Sequence, residues 1–379
     1  MNLFNVYPLF DITPVRAKDV YVYDKNNVQY LDLYGGHAVI SIGHSHPKYV
    51  YNIAKQINKI GFYSNSIQNP LQDKLAQELA VASGCKNYHL FLCNSGAEAN
   101  ENALKLASFQ TNKKKVIAFK NGFHGRTSAA VAVTDNSKII APINAQQEIE
   151  LFNLGDLQGV EAALKQQDVC AVIIECIQGV GGLDESKTSF YRGLHLLCKK
   201  YEVILIADEV QSGFGRTGDF FAFQKHKITP DIISMAKGMG NGFPVGGILI
   251  HSSIKASFGL LGTTFGGNPI AAAAALATID EIEKGKYKSL NLVKGALLRN
   301  LLSPIIGVTK VRGKGLLIGI ILKDSKAKDV AAALLKRGFL VNAANDEVIR
   351  IAPAYVVSDR QVMSFVSAFN DICEEIYGG

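Results

Sequence analysis

The feature that most constrains the fold is a series of apolar segments between residues 88 and 250. Segments of helix length separate most of them, and they read YHLFLC, KVIAFK, VCAVIIE, VILIADE, DIISMAK and VGGILI. Strands that are apolar throughout, rather than alternating, are typical of a parallel sheet with both faces covered. We therefore predict an α/β fold with a mostly parallel central sheet.

The flanking segments predict a second, smaller unit built from both ends of the chain. VYVYDKNNVQYLDL has the pattern of a hairpin that turns at residues 24–27, and the helix–strand alternation starts near Pro47. NPIAAAAALATIDEIEK predicts a long helix, and the pattern leaves open whether it continues into LNLVKGALLRNLL. A chain of 379 residues exceeds what one core normally serves. We expect a large domain over 47–262 and a small domain from 1–46 and 263–379.

Composition and charge exclude several classes of function. The net charge is +7, and the basic residues are scattered rather than aligned in a stripe, so we expect no nucleic-acid partner. The six cysteines form no C-x-x-C pair and have no histidine at metal spacing, so we expect reduced thiols and no metal. No run has the length of a membrane span, and the first residues lack a signal-peptide pattern. We expect a soluble, cytoplasmic protein without a membrane partner.

The segment LFLCNSGAEANENALKLA ends a predicted strand and begins a predicted helix. Ser95 and Glu98 have the spacing of a capping box, in which each side chain accepts from the other's backbone amide. Helix caps are common and need no function. In the functional interpretation, Gly96 lets the amides of the helix N-terminus approach an anion such as phosphate.

Two further predicted strands end in charged residues. Asp208 and Glu209 follow VILIA, and Lys237 follows DIISMA. A desolvated lysine has a lowered pKa and can act as a nucleophile that forms a Schiff base. The glycines after Lys237 have G-x-G-x-G spacing with no helix behind them, which argues against a dinucleotide site.

A phosphate cradle, a strand-end lysine and a strand-end carboxylate together are what pyridoxal phosphate needs. The helix would hold the phosphate, Lys237 would bind the aldehyde carbon, and Asp208 would face the pyridine nitrogen and keep it protonated. The pyridinium is therefore the cation that we expect beside Asp208. For Glu209, a structural role with an N–H or arginine partner is equally open.

The motifs also identify a family that the chain resembles. They are YLDLYGGHAVISIGHSHP, SGAEANE, FHGRT, ECIQGVGG, DEVQSGFGRTG, AKGMGNGFPVGG, TTFGGNP and VIRIAP, in this order over nearly the whole chain. In these motifs the chain resembles the class III (ornithine-type) pyridoxal-phosphate aminotransferases, in the acetylornithine aminotransferase branch. The resemblance implies fold type I, pyridoxal 5′-phosphate as cofactor, and a homodimer.

The resemblance also implies roles for individual residues. Ser95, Gly96 and Ala97 would bind the cofactor phosphate, and Thr264 would reach the phosphate of the neighbouring subunit. The ring of the cofactor would contact Phe123, Asp208, Glu209, Val210 and Gln211, while Lys237 would carry it and shuttle the proton. Substrate would contact three residues: Arg126 at the α-carboxylate of the acylated ornithine, Thr263 close by, and Arg350 at the α-carboxylate of glutamate or 2-oxoglutarate. Gly35, Gly36 and His37 would shape the mouth of the site, with His37 a loop or core histidine rather than a catalytic one.

The implied reaction moves the δ-amino group of N-acetyl- or N-succinylornithine to 2-oxoglutarate, as in arginine biosynthesis. Ornithine or 4-aminobutyrate aminotransferase remains an alternative within the family. A binding protein that has lost the chemistry is the alternative from another class.

One motif departs from the family pattern E-P-x-Q-G-E-G-G. Cys176 replaces its proline, and Val180 replaces a glutamate that in the family neutralises the glutamate-binding arginine, here Arg350. An unpaired buried guanidinium is costly and requires another anion. That anion is a different side chain, a buffer ion or a carboxylate on the donor. The third option favours N-succinylornithine over N-acetylornithine.

Overall fold

The computed structural model describes residue 1 and residues 3–378. Its strands are β1 (Pro14–Lys18), β2 (Tyr21–Asp24), β3 (Gln29–Asp32), β4 (Tyr88–Cys93), β5 (Lys115–Phe119), β6 (Ile149–Phe152), β7 (Val169–Ile174), β8 (Ile204–Asp208), β9 (Ile232–Met235), β10 (Gly246–His251), β11 (Val308–Lys314), β12 (Leu317–Leu322), β13 (Phe339–Leu340), β14 (Asn342–Ala343) and β15 (Val348–Ile351).

Helices begin at Gly96 and at Pro269, as the sequence predicts. The helical elements are α1 (Gly35–Ala38, a single left-handed turn), α2 (Pro47–Ile57), α3 (Pro70–Ser83), α4 (Gly96–Thr111), α5 (Ser128–Ala132), α6 (Leu157–Leu164), α7 (Thr188–Lys200), α8 (Pro269–Lys284), α9 (Tyr287–Leu302), α10 (Ala327–Lys336) and α11 (Asp359–Tyr377). Short 3₁₀ helices lie at Ser137–Ile139, Ala222–His226 and Lys237–Met239. Within the described residues, none of the helices combines the length and apolar character that a membrane crossing requires.

The central sheet has seven strands in the order β4-β10-β9-β8-β7-β5-β6. Strand β10 is antiparallel to both of its neighbours, and the other paired strands are parallel. The prediction of a mostly parallel central sheet is confirmed. Strand β6 is not among the apolar segments that predict the sheet, and its side chains are all only partly buried.

Helices cover both faces of this sheet, which explains why its strands are apolar throughout. Along β8, Leu205 and Ala207 pack into one hydrophobic core, while Ile204 and Ile206 pack into another. Successive side chains of a strand point to opposite faces, so the two cores lie on opposite sides of the sheet. The charged side chain of Asp208 lies at the end of β8, beyond the residues that enter the two cores.

Segments from both ends of the chain meet in a second sheet, which has the order β1-β2-β3-β13. Strands β2 and β3 form the predicted antiparallel hairpin, and β3 pairs in parallel with β13. A third sheet has the order β11-β12-β15-β14. Helices α8 and α9 are separate rather than continuous, because the chain turns at Lys286, which has a φ of 53°. The domain boundaries given above remain a prediction.

The sheet places several polar segments at one edge. Because β4, β5, β7, β8 and β9 run in the same direction, the residues that follow them meet at their carboxyl ends. In open α/β sheets this edge is where ligands bind. Ser95, the loop at 120–127, Glu175, Asp208 and Lys237 all lie there.

Strand β10 lies between β4 and β9, whose carboxyl ends form part of this edge. Gly246 lets β10 fit between them. A Cβ atom there would lie 2.7 Å from the carbonyl oxygen of Ser95 and 3.0 Å from that of Met235. We expect Gly246→Ala to lower the free energy of unfolding by about 1–3 kcal/mol, as overpacking does. Gly262→Ala is the control, since a Cβ atom at residue 262 would have no other atom within 4 Å. Urea unfolding of both variants checks this, and equal stabilities would contradict it.

Candidate active site

The carboxylate of Asp208 is held by three hydrogen-bond donors at the carboxyl edge. The residue is 4% exposed and ends β8. Its Oδ2 accepts hydrogen bonds from Asn100 Nδ2 at 2.8 Å and from His124 Nδ1 at 2.7 Å. Its Oδ1 accepts from the amide of Val210 at 3.0 Å. Three donors therefore fix the orientation of the carboxylate.

His124 is a buried partner of Asp208 that the sequence pattern does not indicate. Burial alone would lower the pKa of His124, but the hydrogen bond and the charge of Asp208, with a contribution from Glu175, raise it above its ordinary value. The raised pKa favours the protonated ring, which forms a buried ion pair with the carboxylate when it carries the proton. Both His124 and Asn100 lie in motifs that suggest the family, FHGRT and SGAEANE, but their spacing from Asp208 gives no hint of contact.

Glu209 has a different environment from its neighbour Asp208. Its carboxylate accepts hydrogen bonds from the amides of Ala222 and Phe223 and from the hydroxyl of Ser212. Burial raises the pKa of Glu209 to about 7, although these hydrogen bonds oppose the shift. Of the two roles left open by the sequence, this geometry matches the structural one, with backbone N–H partners.

Lys237 is a partly exposed residue in a strained backbone conformation. Its φ is 45°, in the left-handed region, and within the described residues its Nζ makes no hydrogen bond. Desolvation of the amine and the positive charge of Arg350 lower the pKa of Lys237 to about 8, although Asp208 and Glu175 act in the opposite direction. The amine is therefore free and is partly neutral near physiological pH.

The turn between β4 and α4 contains half of the predicted capping box. Ser95 Oγ accepts from the amide of Glu98 at 3.1 Å, as predicted. The reciprocal bond is absent from this described segment, because the Glu98 carboxylate instead accepts from the amide and side chain of Asn94 and from Ser95 Oγ. The amides of Gly96 and Ala97 in the first helical turn have no backbone acceptor in the described chain.

Gly96 also joins this turn to the segment that follows Asp208. A Cβ atom on Gly96 would lie 2.5 Å from Cγ1 of Val210. The close approach requires glycine at 96 and brings the helix N-terminus against the Asp208 turn. The positions predicted for phosphate and for the ring nitrogen are therefore adjacent.

Glu175 follows β7 and connects two parts of the site. It is buried, its Oε1 accepts from the amide of Phe123 at 3.0 Å, and its Oε2 accepts from the amide of Gly179 at 2.8 Å. Burial raises the pKa of Glu175 to about 7, against the effect of His124. The sequence pattern assigns it no role, although it begins the ECIQGVGG motif.

Arg350 is 3% exposed in β15 and has no carboxylate partner among the described residues. Its Nη1 donates to the carbonyl of Gly179 and to Gln211 Oε1, and its Nη2 contacts Asn342 Oδ1 and His37 Nδ1. Val180, which replaces the family's glutamate, is half-buried one residue after Gly179. The predicted unpaired guanidinium is thus hydrogen-bonded, but only by neutral groups.

Arg126, Lys237, Arg350 and His37 lie close enough to affect one another. Partial burial of the His37 ring, and the charges of Arg350, Lys237 and Arg126 in that order, lower the pKa of His37 to about 4. The side chain of Arg126 is exposed and makes no ion pair in the described chain. The mouth of the site is therefore positively charged and suited to carboxylates.

Of the two threonines predicted to lie near ligands, Thr263 contacts the β4–α4 turn. Thr263 Oγ1 accepts from Asn94 Nδ2 at 3.4 Å and from the amide of Gly266 at 3.1 Å. Thr264 is exposed.

The residues at this edge fit pyridoxal phosphate. The amides of Gly96 and Ala97 provide donors for a phosphate, Asp208 provides a buried carboxylate, and Lys237 provides a free amine. Within the described residues, no three histidine, cysteine or acidic side chains are grouped as metal ligands would be.

The chain is similar to known aminotransferases over nearly its whole length. The family model described as aminotransferase class-III matches residues 5–373. The acetylornithine aminotransferase of Bacillus subtilis (strain 168) is 39% identical over 376 residues, which cover 97% of this chain and 96% of that protein. The succinylornithine transaminase of Salmonella newport (strain SL254) is 36% identical over 394 residues, with coverages of 99% and 95%.

A solved structure that is similar to this chain contains pyridoxal phosphate. The ornithine aminotransferase from Toxoplasma gondii, crystallised with oxidised glutathione, has partial occupancy of pyridoxal phosphate at its active site. It is 27% identical to this chain, with a TM-score of 0.91, and the match covers 98% of this chain and 93% of that one.

The lowered pKa of Lys237 predicts a pH-dependent cost to stability. The pKa of Lys237 is about 8 in the folded protein and 10.5 in its ordinary environment, so protonation of the amine favours the unfolded chain. This cost is absent above pH 10.5, grows as the pH falls from 10.5 to 8, and stays constant below pH 8. We compare the free energies of unfolding of cofactor-free Lys237→Met and cofactor-free wild type. The variant's value should rise relative to the wild type's by up to about 3 kcal/mol as the pH falls from 10.5 to 7. Urea unfolding of both proteins across this range measures the difference, and a difference independent of pH would refute the prediction.

Proposed function

This chain belongs to the class-III aminotransferases, and we propose that it moves the δ-amino group of an N-acylated ornithine to 2-oxoglutarate. The products are the N-acylated glutamate semialdehyde and glutamate, as in arginine biosynthesis. The observation that carries the proposal is the free amine of Lys237 at the same sheet edge as the buried carboxylate of Asp208. The similarity to acetylornithine and succinylornithine aminotransferases supports the choice of donor.

The cofactor of this enzyme class is pyridoxal 5′-phosphate. When bound, it supplies an aldehyde that accepts amino groups and a pyridinium ring that withdraws electrons. In the proposed site, Ser95, Gly96 and Ala97 would bind its phosphate, and Phe123 would contact its ring. Val210 and Gln211 would complete the ring pocket.

Asp208 is proposed to hold a proton on the ring nitrogen. Its ability to do so depends on His124 and Asn100, which donate to Oδ2 and so orient the carboxylate. We propose both as positioning residues for Asp208, in addition to those predicted from the sequence. Glu209 is assigned a structural role because its oxygens accept from the hydroxyl of Ser212 and from two backbone amides at residues 222–223, which joins the turn after β8 to that segment.

Lys237 is proposed as the catalytic base. With a pKa of about 8, its Nζ is partly neutral under physiological conditions and can accept a proton from the carbon that bears the donor's amino group. The absence of a hydrogen-bond partner for Nζ in the described chain leaves the amine free to move between positions.

The two arginines are proposed to bind substrate carboxylates. Arg126 is exposed at the mouth and suits the α-carboxylate of the acylated ornithine, with Thr263 nearby. Arg350 is buried and suits the α-carboxylate of 2-oxoglutarate or glutamate. Because its partners are neutral, Arg350 also favours a donor with a second carboxylate, so we propose N-succinylornithine as the preferred donor.

Assembly and location are also proposals. A homodimer in which Thr264 reaches the neighbouring phosphate is consistent with the exposure of that residue. Residues 47–262 would form the large domain, with 1–46 and 263–379 in the small one; residues 2 and 379 lie outside the described residues. The six cysteines are all unpaired, which supports a cytoplasmic location.

The first test compares two neighbouring buried carboxylates. Asp208→Asn should lower kcat by about 100-fold or more, because the charge that holds the ring proton is lost. Glu209→Gln is the matched control and should cost about 1–3 kcal/mol of stability but only a few-fold in kcat. Steady-state kinetics and urea unfolding measure both effects. Equal losses of kcat in the two variants would refute the role of Asp208.

The second test identifies the donor. Initial rates with 2-oxoglutarate should give a kcat/KM for N-succinylornithine about tenfold or more above that for N-acetylornithine, since one charged hydrogen bond is worth that much. Ornithine and 4-aminobutyrate should be poorer still, and Lys237→Ala should be inactive with every donor. Val180→Glu should reduce the preference for the succinylated donor. Equal kcat/KM values for the two acylated donors in the wild type would exclude N-succinylornithine as the preferred donor. A preference for ornithine would overturn the proposed function.

A further inference from the structure

The four hydrogen-bond acceptors of Arg350 are not equally exposed. The Gly179 carbonyl and the Gln211 side chain are buried, and Asn342 lies directly opposite Arg350 in the pairing of β14 with β15. His37 is the exposed member of the set and contacts Nη2 at 3.1 Å. A ligand that approaches from solvent therefore meets His37 before it meets the guanidinium.

An unusual turn holds His37 in this position. Residues 35–38 have successive φ values of 57°, 56°, 65° and 64°, so four residues in a row are left-handed. For the two that are not glycine, this conformation costs roughly 1–2 kcal/mol each. Such strain persists where the surrounding structure imposes it and is frequent at functional sites.

The surroundings that impose the turn are the end of β3 and the residues after β15. The amide of Gly35 donates to Asp32 Oδ1 at 2.8 Å, and the amide of Ala352 donates to the carbonyl of Leu33 at 2.6 Å. A Cβ atom on Gly35 would lie 2.6 Å from the carbonyl oxygen of Ala352. The turn is thus packed against the segment that follows Arg350, and this packing directs the ring at position 37 toward the guanidinium.

The contact with Arg350 also defines the protonation state of the His37 ring. A guanidinium can only donate, so Nδ1 of His37 must be the acceptor and cannot carry a proton. The ring is neutral, in line with its pKa of about 4. Its Nε2–H then points to the hydroxyl oxygen of Tyr34, its other partner. The cap over Arg350 is therefore uncharged and leaves the positive charge of the arginine in place.

We propose that His37 is a displaceable neutral cap on Arg350, and that it sets the enzyme's selectivity for dicarboxylates. This rests on the proposed function, in which Arg350 binds a carboxylate of 2-oxoglutarate. In the absence of that ligand, His37 satisfies Nη2. A ligand carboxylate forms a charge-assisted hydrogen bond that is about twice as strong as a neutral one, so it displaces the ring readily. An acidic cap would instead compete with the ligand.

The test replaces His37 by two residues of the same shape and different charge. Asn and Asp both tolerate a left-handed φ, and the Oδ1 of each occupies the same place along the side chain as Nδ1 of histidine. His37→Asn therefore keeps a neutral acceptor at Arg350, and His37→Asp places a carboxylate there. Asn300→Asp makes the same charge change at an exposed position of α9 and serves as the control.

The measured quantity is the dissociation constant of glutarate for the cofactor-loaded protein, obtained by titration calorimetry. Glutarate has the two carboxylates of 2-oxoglutarate and no reacting group, so its binding does not depend on turnover. We expect His37→Asp to bind glutarate about tenfold or more weakly than His37→Asn. Asn300→Asp should differ from the wild type by less than about twofold, because exposed charges are screened over distance.

Kinetics then show whether the effect is larger for the dicarboxylate than for the donor. Between the Asp and Asn variants, the KM for 2-oxoglutarate should rise by about tenfold, and the kcat/KM for N-acetylornithine should fall by a smaller factor, because the new charge also lies near Lys237 and Arg126. Equal glutarate affinities in the two variants, or no glutarate binding to the wild type, would overturn the proposal. So would an equal loss for both substrates.

The outcomes separate this proposal from the proposed function. If the wild type uses no N-acylated ornithine but glutarate distinguishes the two variants, the donor assignment fails and the cap remains. If the wild type uses an N-acylated ornithine and glutarate does not distinguish the variants, the cap alone fails.

Discussion

The carboxylate of Asp208, held at the end of a buried strand, is the constraint on which the rest of the site depends. An isolated buried charge is costly, and the chain compensates with His124, Asn100 and the amide of Val210. These donors come from the β5–α5 loop, from α4 and from the turn after β8, so one carboxylate organises three segments. Removing a partner of such a buried pair typically costs about 3–5 kcal/mol. The arrangement therefore serves the fold as well as the chemistry.

Much of the fold and the outline of the site could be predicted from the sequence, because local pattern determines both. Apolar segments such as VCAVIIE indicated strands with two buried faces, and residues 204–207 enter two cores as that requires. The polar residues at strand ends, Asp208 and Lys237, indicated the active edge, since the carboxyl ends of parallel strands meet there. The N-cap of Ser95 followed from its spacing to Glu98.

Contacts between distant segments could not be predicted in this way. The partner of Asp208 that the sequence indicated was a ligand, whereas His124 lies 84 residues away and has no spacing rule to announce it. The sequence did reveal that Arg350 lacks its usual acid. It could not reveal that His37 is among the neutral partners of Arg350, because that contact depends on a left-handed turn in which two non-glycine residues take part. Tertiary packing rather than local preference imposes this turn.

The central claim is that Lys237, Asp208 and the start of α4 together form the pyridoxal-phosphate site. Mass spectrometry of peptides after borohydride treatment of the cofactor-loaded protein tests it most directly, because reduction fixes the cofactor to the amine that carries it. We expect a single modified peptide, with the added mass on Lys237. A cofactor fixed to another lysine, with Lys237 unmodified, would contradict the claim.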